Sequence, residues 1–224
     1  MANIFDLFKK IEKSAEPTAP ITHIICGLGN PGDKYTCTRH NAGFVAMDYL
    51  TKEMGVTCNR VKFKALCGEG TLNGVRVLLM KPQTYMNASG EAVAEAAAFY
   101  KIPTENIIVI SDDVAQNIGR VRIRKSGSAG GQKGLKSIIE HLGSDKFPRI
   151  RIGVGQKPNP EYDLADWVLG KIPKEDESAY FNVCKQAYGI ASLLVKGDFD
   201  GAMCKYNGFN ASISEGGVNA DKST

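Results

Sequence analysis

Ile107, Ile108, Val109 and Ile110 follow one another without a polar break. Alternate side chains of a strand point to opposite faces, so a strand built from this run is apolar on both. Such a strand belongs in the middle of a sheet that is covered on each side. Asn106 to Ile110 therefore reads as a central strand, and Thr22 to Leu28 as a second buried one. Between and after them the apolar period changes to that of helices. Asn41 to Met54 carries Phe44, Met47, Leu50 and Met54 on one face, and the alanine-rich Ala88 to Tyr100 is ended by Pro103. Lys133 to Leu142 reads as a further helix and Lys174 to Lys196 as a long one. Val61 to Thr71 and Val75 to Met80 flank Asn73-Gly74, a two-residue hairpin signal. Arg120 to Lys125 alternates basic and apolar residues, a half-exposed strand, and Arg149 to Gly155 is another strand. Strands alternating with helices around one inserted hairpin give an α/β fold: a three-layer α/β/α sandwich around a mixed, twisted sheet. Loops that follow the strands then gather at one edge, where such sheets bind ligands.

The chain has 224 residues, the size of one domain with a single sizeable core. That domain is expected over residues 21–207. Residues 1–20 read as an extension, a short helix with Ile4, Phe5, Phe8 and Ile11 at helical spacing followed by a linker. Residues 208–224, rich in Gly, Ser and Asn, read as a flexible tail. No apolar run approaches the ~18 residues of a membrane span, and Asp6 interrupts what would be the core of a signal peptide, so a cytoplasmic protein without membrane contact is expected. Cys26, Cys37, Cys58, Cys67, Cys184 and Cys204 form no C-x-x-C pair and are too dispersed for a zinc site. They read as reduced thiols, mostly buried, and no metal is expected. Net charge is only +4, but Arg120 to Arg151 holds nine basic residues against Glu140 and Asp145. That window carries +7 and leaves −3 for the remainder. Such a concentration suits either a solvated face or a polyanionic partner.

After the first strand comes Gly27-Leu28-Gly29-Asn30-Pro31-Gly32, a literal G-x-G-x-x-G. A dinucleotide loop needs its helix to start at the glycines, because the first amides of that helix hold the pyrophosphate. Here the polar stretch Asp33 to Arg39 intervenes, and no acidic residue ends a second strand about 20 positions on. The nucleotide reading fails. What the loop offers is a set of polar groups at the carboxyl edge of the sheet: the amide of Asn30, the hydroxyl of Tyr35, and His40-Asn41 where the helix begins. Asn87 starts the second helix, and Asp112 follows the central strand. Each has an ordinary use too, since asparagines fill turns and caps and aspartates solvate strand ends. Together, a His beside an Asp is a general-base pair, the carboxylate fixing the imidazole tautomer. No G-x-S-x-G elbow supplies a serine nucleophile, and Cys37 shows no sign of thiolate activation. Water activated by His40 is the economical chemistry.

"GLGNPGDKYTCTRHNAGF", "KPQTYMNASGEAV", the Asp pair after a strand, "GSAGGQKGLKSI", "FPRIRIGVG" and "DFDGAMCKYN" occur in this order. From Thr22 to Asn207 the chain resembles the bacterial-type peptidyl-tRNA hydrolases. The resemblance implies a monomeric α/β/α enzyme, without cofactor or metal, that cleaves the ester between a peptide and the 3′ end of tRNA. It implies His40 as the base that deprotonates water and Asp112 as the acid that orients it. Asn30 and Asn87 would hold the peptidyl carbonyl and backbone, with Tyr35 packed beside them. Arg124 and Arg151 fall where the family grips phosphates of the acceptor arm. The chain departs from the family at Gln132-Lys133, where His-Asn is usual, and at Val114 to Ile118. Lys133 is expected to act on the substrate carbonyl or the terminal phosphate. The competing expectation is a non-catalytic RNA-binding protein on the same scaffold.

Overall fold

The computed structural model describes residues 19–211. Most of the expected N-terminal helix and linker, and most of the expected tail, lie outside the described residues. In chain order the elements are β1 (His23–Gly27), α1 (Ala42–Met54), β2 (Arg60–Lys62), β3 (Ala65–Leu72), β4 (Val75–Pro82) and α2 (Ser89–Tyr100). Then come β5 (Ile107–Asp113), β6 (Val121–Arg124), α3 (Lys133–Leu142), β7 (Arg149–Gly153) and α4 (Leu164–Leu169). The described chain closes with α5 (Glu177–Lys185), α6 (Ala187–Leu194) and α7 (Phe199–Tyr206).

Seven strands form one sheet in the order β2-β3-β4-β1-β5-β7-β6. β1 runs parallel to β4 and β5, and β5 parallel to β7. β2, β3 and β6 pair antiparallel, so the sheet is mixed. The two apolar runs behave as their period requires. Ile25, Ile108 and Ile110 face a layer made by α1, α5, α6 and α7. Ile24, Cys26, Ile107 and Val109 face a second layer made by α2 and α3. The fold is the expected α/β/α sandwich, and the carboxyl ends of β1, β4 and β5 meet at one edge.

The glycines of the first loop set how closely α1 approaches that sheet. A Cβ on Gly43 would collide with the Leu28 amide and the Ile110 carbonyl, the two ends of a 2.9 Å backbone hydrogen bond between β1 and β5. A Cβ on Gly27 would collide with the Gly43 carbonyl and the Met47 side chain, and one on Gly29 would sit 2.6 Å from the Phe44 ring. Gly27 and Gly29 thus serve close packing of α1, whereas Gly32, with open space around it, supplies a positive φ of 102°.

Three details differ from the sequence reading. The strand expected over Val61 to Thr71 is two strands, turned at Phe63-Lys64 with φ of 52° and 53°. Neither residue signals a turn by type; the Phe63 ring is buried there, 5.2 and 5.8 Å from the Phe99 and Tyr100 rings. Asn73-Gly74 makes the expected hairpin turn with φ of 53° and 81°. The long helix from Lys174 is broken into a 3-10 turn, α5 and α6, because the Gln186 amide bonds three residues back, to Val183, at 3.1 Å. Residues just past 207 are not loose: Phe209 and Ala211 pack on the core, and the Ala211 amide bonds the Gly119 carbonyl at 2.9 Å. Among the described residues no helix is long and apolar enough to cross a membrane.

Gly43→Ala should cost about 1–3 kcal/mol or more, because backbone rather than a flexible side chain fills the space. Urea unfolding of the variant against the parent measures it.

Candidate active site

The loop after β1 is locked before it presents anything. The Asn41 side chain accepts from the Asn30 amide at 2.9 Å and donates to the Asn30 carbonyl at 3.0 Å. The Asn30 side-chain oxygen accepts from the Met86 amide at 2.8 Å, tying the loop to the turn after β4. A backbone N–H only donates, so the oxygen of Asn30 must face Met86 and its NH2 group faces away. Asn30 is therefore oriented as a hydrogen-bond donor. Asn87, on the 3-10 turn Met86–Ala88, is exposed one residue along.

His40 lies in the 3-10 turn Arg39–Asn41 that leads into α1. Its Nδ1 is 3.0 Å from Asp112 Oδ2, and both residues are buried. Gln132, the N-cap of α3, reaches the other oxygen of Asp112 at 3.1 Å. The neighbouring Asp113 has a separate duty. Its carboxylate accepts from the Ala115 amide at 3.0 Å, from Gln116 Nε2 at 2.7 Å and from Arg151 Nη2 at 3.1 Å. It thereby shapes the loop after β5 and holds Arg151.

A cavity of about 430 Å³ opens over these groups, and Asn30, His40, Asn87, Asp112, Lys133 and Arg151 all line it. Its apolar wall is α4, through Leu164, Val168 and Leu169. Asp163 starts that helix by accepting from the Ala165 and Asp166 amides at 2.7 and 3.0 Å. Buried Arg39 holds it in place, with its guanidinium 3.6 Å from the centre of the Trp167 ring and Nε 3.3 Å from the Val154 carbonyl. The wall is thus fixed to the residue next to His40.

Tyr35 is not among the residues that line the cavity. It is half-buried at the end of the 3-10 turn Asp33–Tyr35, and its ring meets the Lys34 ammonium at 4.8 Å. Arg124 also stands apart, exposed at the end of β6, the edge of the sheet. In the β6–β7 pair Arg122 sits opposite Arg151, and Arg124 opposite Arg149. Like charges placed directly opposite destabilise a ladder. Two of the four are met internally: Arg151 by Asp113, and Arg149 by the Ser128 and Asp145 carbonyls at 2.7 and 3.0 Å. Arg122 and Arg124 form no ion pair among the described residues, leaving cationic groups on the edge strand.

A family model described as peptidyl-tRNA hydrolase matches residues 24–215. The chain belongs to the peptidyl-tRNA hydrolase family. It is 50% identical over 191 residues to a peptidyl-tRNA hydrolase of Clostridium botulinum (strain Alaska E43 / Type E3), covering 85% of this chain and 98% of that one. It is 49% identical over 187 residues to one of Alkaliphilus oremlandii, covering 83% and 100%. A crystal structure of peptidyl-tRNA hydrolase from Acinetobacter baumannii superposes with a TM-score of 0.80 at 37% identity, over 85% of this chain and 96% of that chain.

Sequence reasoning for this peptidyl-tRNA hydrolase family member placed Asn41 at this edge without its hold on Asn30, saw Asp113 only as half of an Asp pair, missed Arg39 and the α4 wall, and treated Gln132 only as a departure. Asp163-Leu164-Ala165-Asp166, a capping residue before an apolar one with an acid in the first turn, was the available sign of α4. No thiol lines the cavity. Burial pushes the Cys58 thiol up to about 12 and the Cys67 thiol up to about 11. Cys26 and Cys184 are raised further for the same reason. These groups stay protonated at neutral pH, and only Cys37 and Cys204 are exposed. A thiol-labelling reagent should therefore modify Cys37 and Cys204 rapidly in the native protein and the others only after unfolding. Cys37→Ser should leave turnover unchanged.

Proposed function

We propose that the protein hydrolyses the ester linking a peptide to the 3′ end of tRNA, with water as nucleophile and His40 as its base. The observation that carries this reading is the buried His40–Asp112 contact under a cavity that Asn30 enters as a donor. A carboxylate accepts only, so the imidazole proton sits on Nδ1 and Nε2 is left to take a proton from water. The hydroxide adds to the ester carbonyl and its charge moves to the carbonyl oxygen. The NH2 of Asn30, already oriented by the Met86 amide, is placed to stabilise that oxyanion without reorganising. Collapse expels the ribose 3′-oxygen, which takes the proton back from His40. Asn87 at the rim holds the peptide backbone, and α4 offers apolar surface to the peptide side chains.

Lys133 is exposed in the first turn of α3 and lines the cavity. Its ammonium serves the substrate carbonyl or the terminal phosphate. Arg151 and Arg124 contact acceptor-arm phosphates, supported by the uncompensated edge-strand arginines. Such contacts position a nucleic acid without reading its sequence, so many tRNAs should be substrates. The reading includes a monomeric enzyme, and a tRNA substrate used in translation supports a cytoplasmic location.

Release of peptide from an N-blocked aminoacyl-tRNA tests the reading. The parent should turn over, and His40→Ala should lower kcat by about 10²–10⁴-fold. Binding of tRNA without turnover by the parent would return the non-catalytic RNA-binding alternative. Arg124→Ala should raise KM, leave kcat alone and reduce the salt dependence of binding by about one phosphate contact.

A further inference from the structure

Gln132 touches the His40–Asp112 couple from a third element, and every polar atom of its side chain is engaged. Oε1 lies 2.7 Å from the Leu135 amide, and Nε2 lies 3.1 Å from Asp112 Oδ1 and 3.2 Å from Met86 Sδ. The residue is buried at 8% exposure. The Leu135 N–H can only donate, so the oxygen of the amide must face it and the NH2 must face Asp112. One hydrogen goes to Asp112 Oδ1 and the other points to the Met86 sulfur. Asp112 Oδ2 is left to His40 Nδ1 at 3.0 Å. The order of donors from α3 to the imidazole is thereby fixed by one backbone N–H.

We propose that Gln132 is a positioning residue for the hydrolysis. It sets the plane of the Asp112 carboxylate, and through it the tautomer of His40 that leaves Nε2 free as base. The inference rests on the reading of His40 as base. Without Gln132 the carboxylate would keep a single side-chain partner and could turn about its own axis. The same side chain meets Met86, whose amide orients Asn30, so the base and the carbonyl donor share an anchor. An amide does not titrate, so it adds no ionisation of its own beside His40 and Asp112. The remaining charged groups around the cavity are Lys133 from α3, Arg151 from β7, Asp113 from β5 and Asp163 ahead of α4.

Gln132→Glu separates this role from capping. Once ionised, a carboxylate still accepts from the Leu135 amide and suits a helix start, but it gives Asp112 no hydrogen, so kcat is read above the pH at which the two carboxyls share a proton. The expected result is kcat lower by about 10–100-fold, the usual effect of losing a partner that orients a reacting group. KM should stay close to the parent, Tm should fall because two buried carboxylates now face each other, and the acid limb of the kcat–pH profile should move to higher pH, because the added negative charge favours protonated His40. Gln132→Met, neutral and of like length, removes both cap and donor. It should lower Tm and, well below that Tm, show the same loss in kcat. A Gln132→Glu enzyme with the parent's kcat and pH profile would overturn the proposal and leave Gln132 as a cap. So would a Gln132→Met loss no larger than its unfolded fraction. A parent that does not turn over at all refutes the His40 reading instead, which the His40→Ala comparison identifies separately.

Discussion

The contact of Gly43 with the Leu28–Ile110 hydrogen bond decides where the reacting groups stand. Gly43 begins α1 without a side chain, directly over the last backbone bond joining β1 to β5. His40 lies three residues before it, and Asp112 two residues beyond Ile110. Pressing helix backbone onto strand backbone at that point brings an imidazole from one element within 3.0 Å of a carboxylate from another. A larger residue at 43 would lift α1 off the sheet and carry the turn Arg39–Asn41 with it. The distance between His40 and Asp112 is therefore a packing distance, set by the absence of a methyl group at residue 43.

Backbone amides then orient what the packing brings together. The Met86 N–H turns Asn30 outward, and the Leu135 N–H turns Gln132 toward Asp112. Both donors belong to structure that exists for other reasons, the turn after β4 and the first turn of α3. A neutral side-chain amide has no intrinsic preference between its two ends, but a backbone N–H gives it one. Donors held this way cost little to reorganise when charge develops on a substrate oxygen.

The interior places of β1 and β5 and the β3–β4 hairpin were legible in the chain, because continuous apolar runs suit only covered strands and Asn73-Gly74 favours a tight turn. His40, Asp112, Asn30 and Asn87 were legible because all follow strands or open helices at one edge. The misses share a cause: they depend on contacts between residues far apart in sequence. Phe63-Lys64 turns because Phe63 finds a pocket, not because its residue types favour a positive φ. Arg39 supports α4 through Trp167, a partner 128 residues away, and no local pattern announces that.

Charge follows the same division between what is satisfied within the fold and what is left for a partner. Arg149 and Arg151 occupy the inner strand β7, where burial forces them onto carbonyls and onto Asp113. Arg122 and Arg124 stand opposite them on β6, at the open edge, where water carries the cost of unpaired charge. A phosphate chain laid along that edge would relieve cross-strand repulsion that the protein itself neutralises on only one side. The edge strand and the cavity are joined by Arg151, which belongs to both: it lies opposite Arg122 in the ladder and lines the cavity beside Asp113. Arg151 thus stands between the cationic edge strand and the polar groups of the cavity.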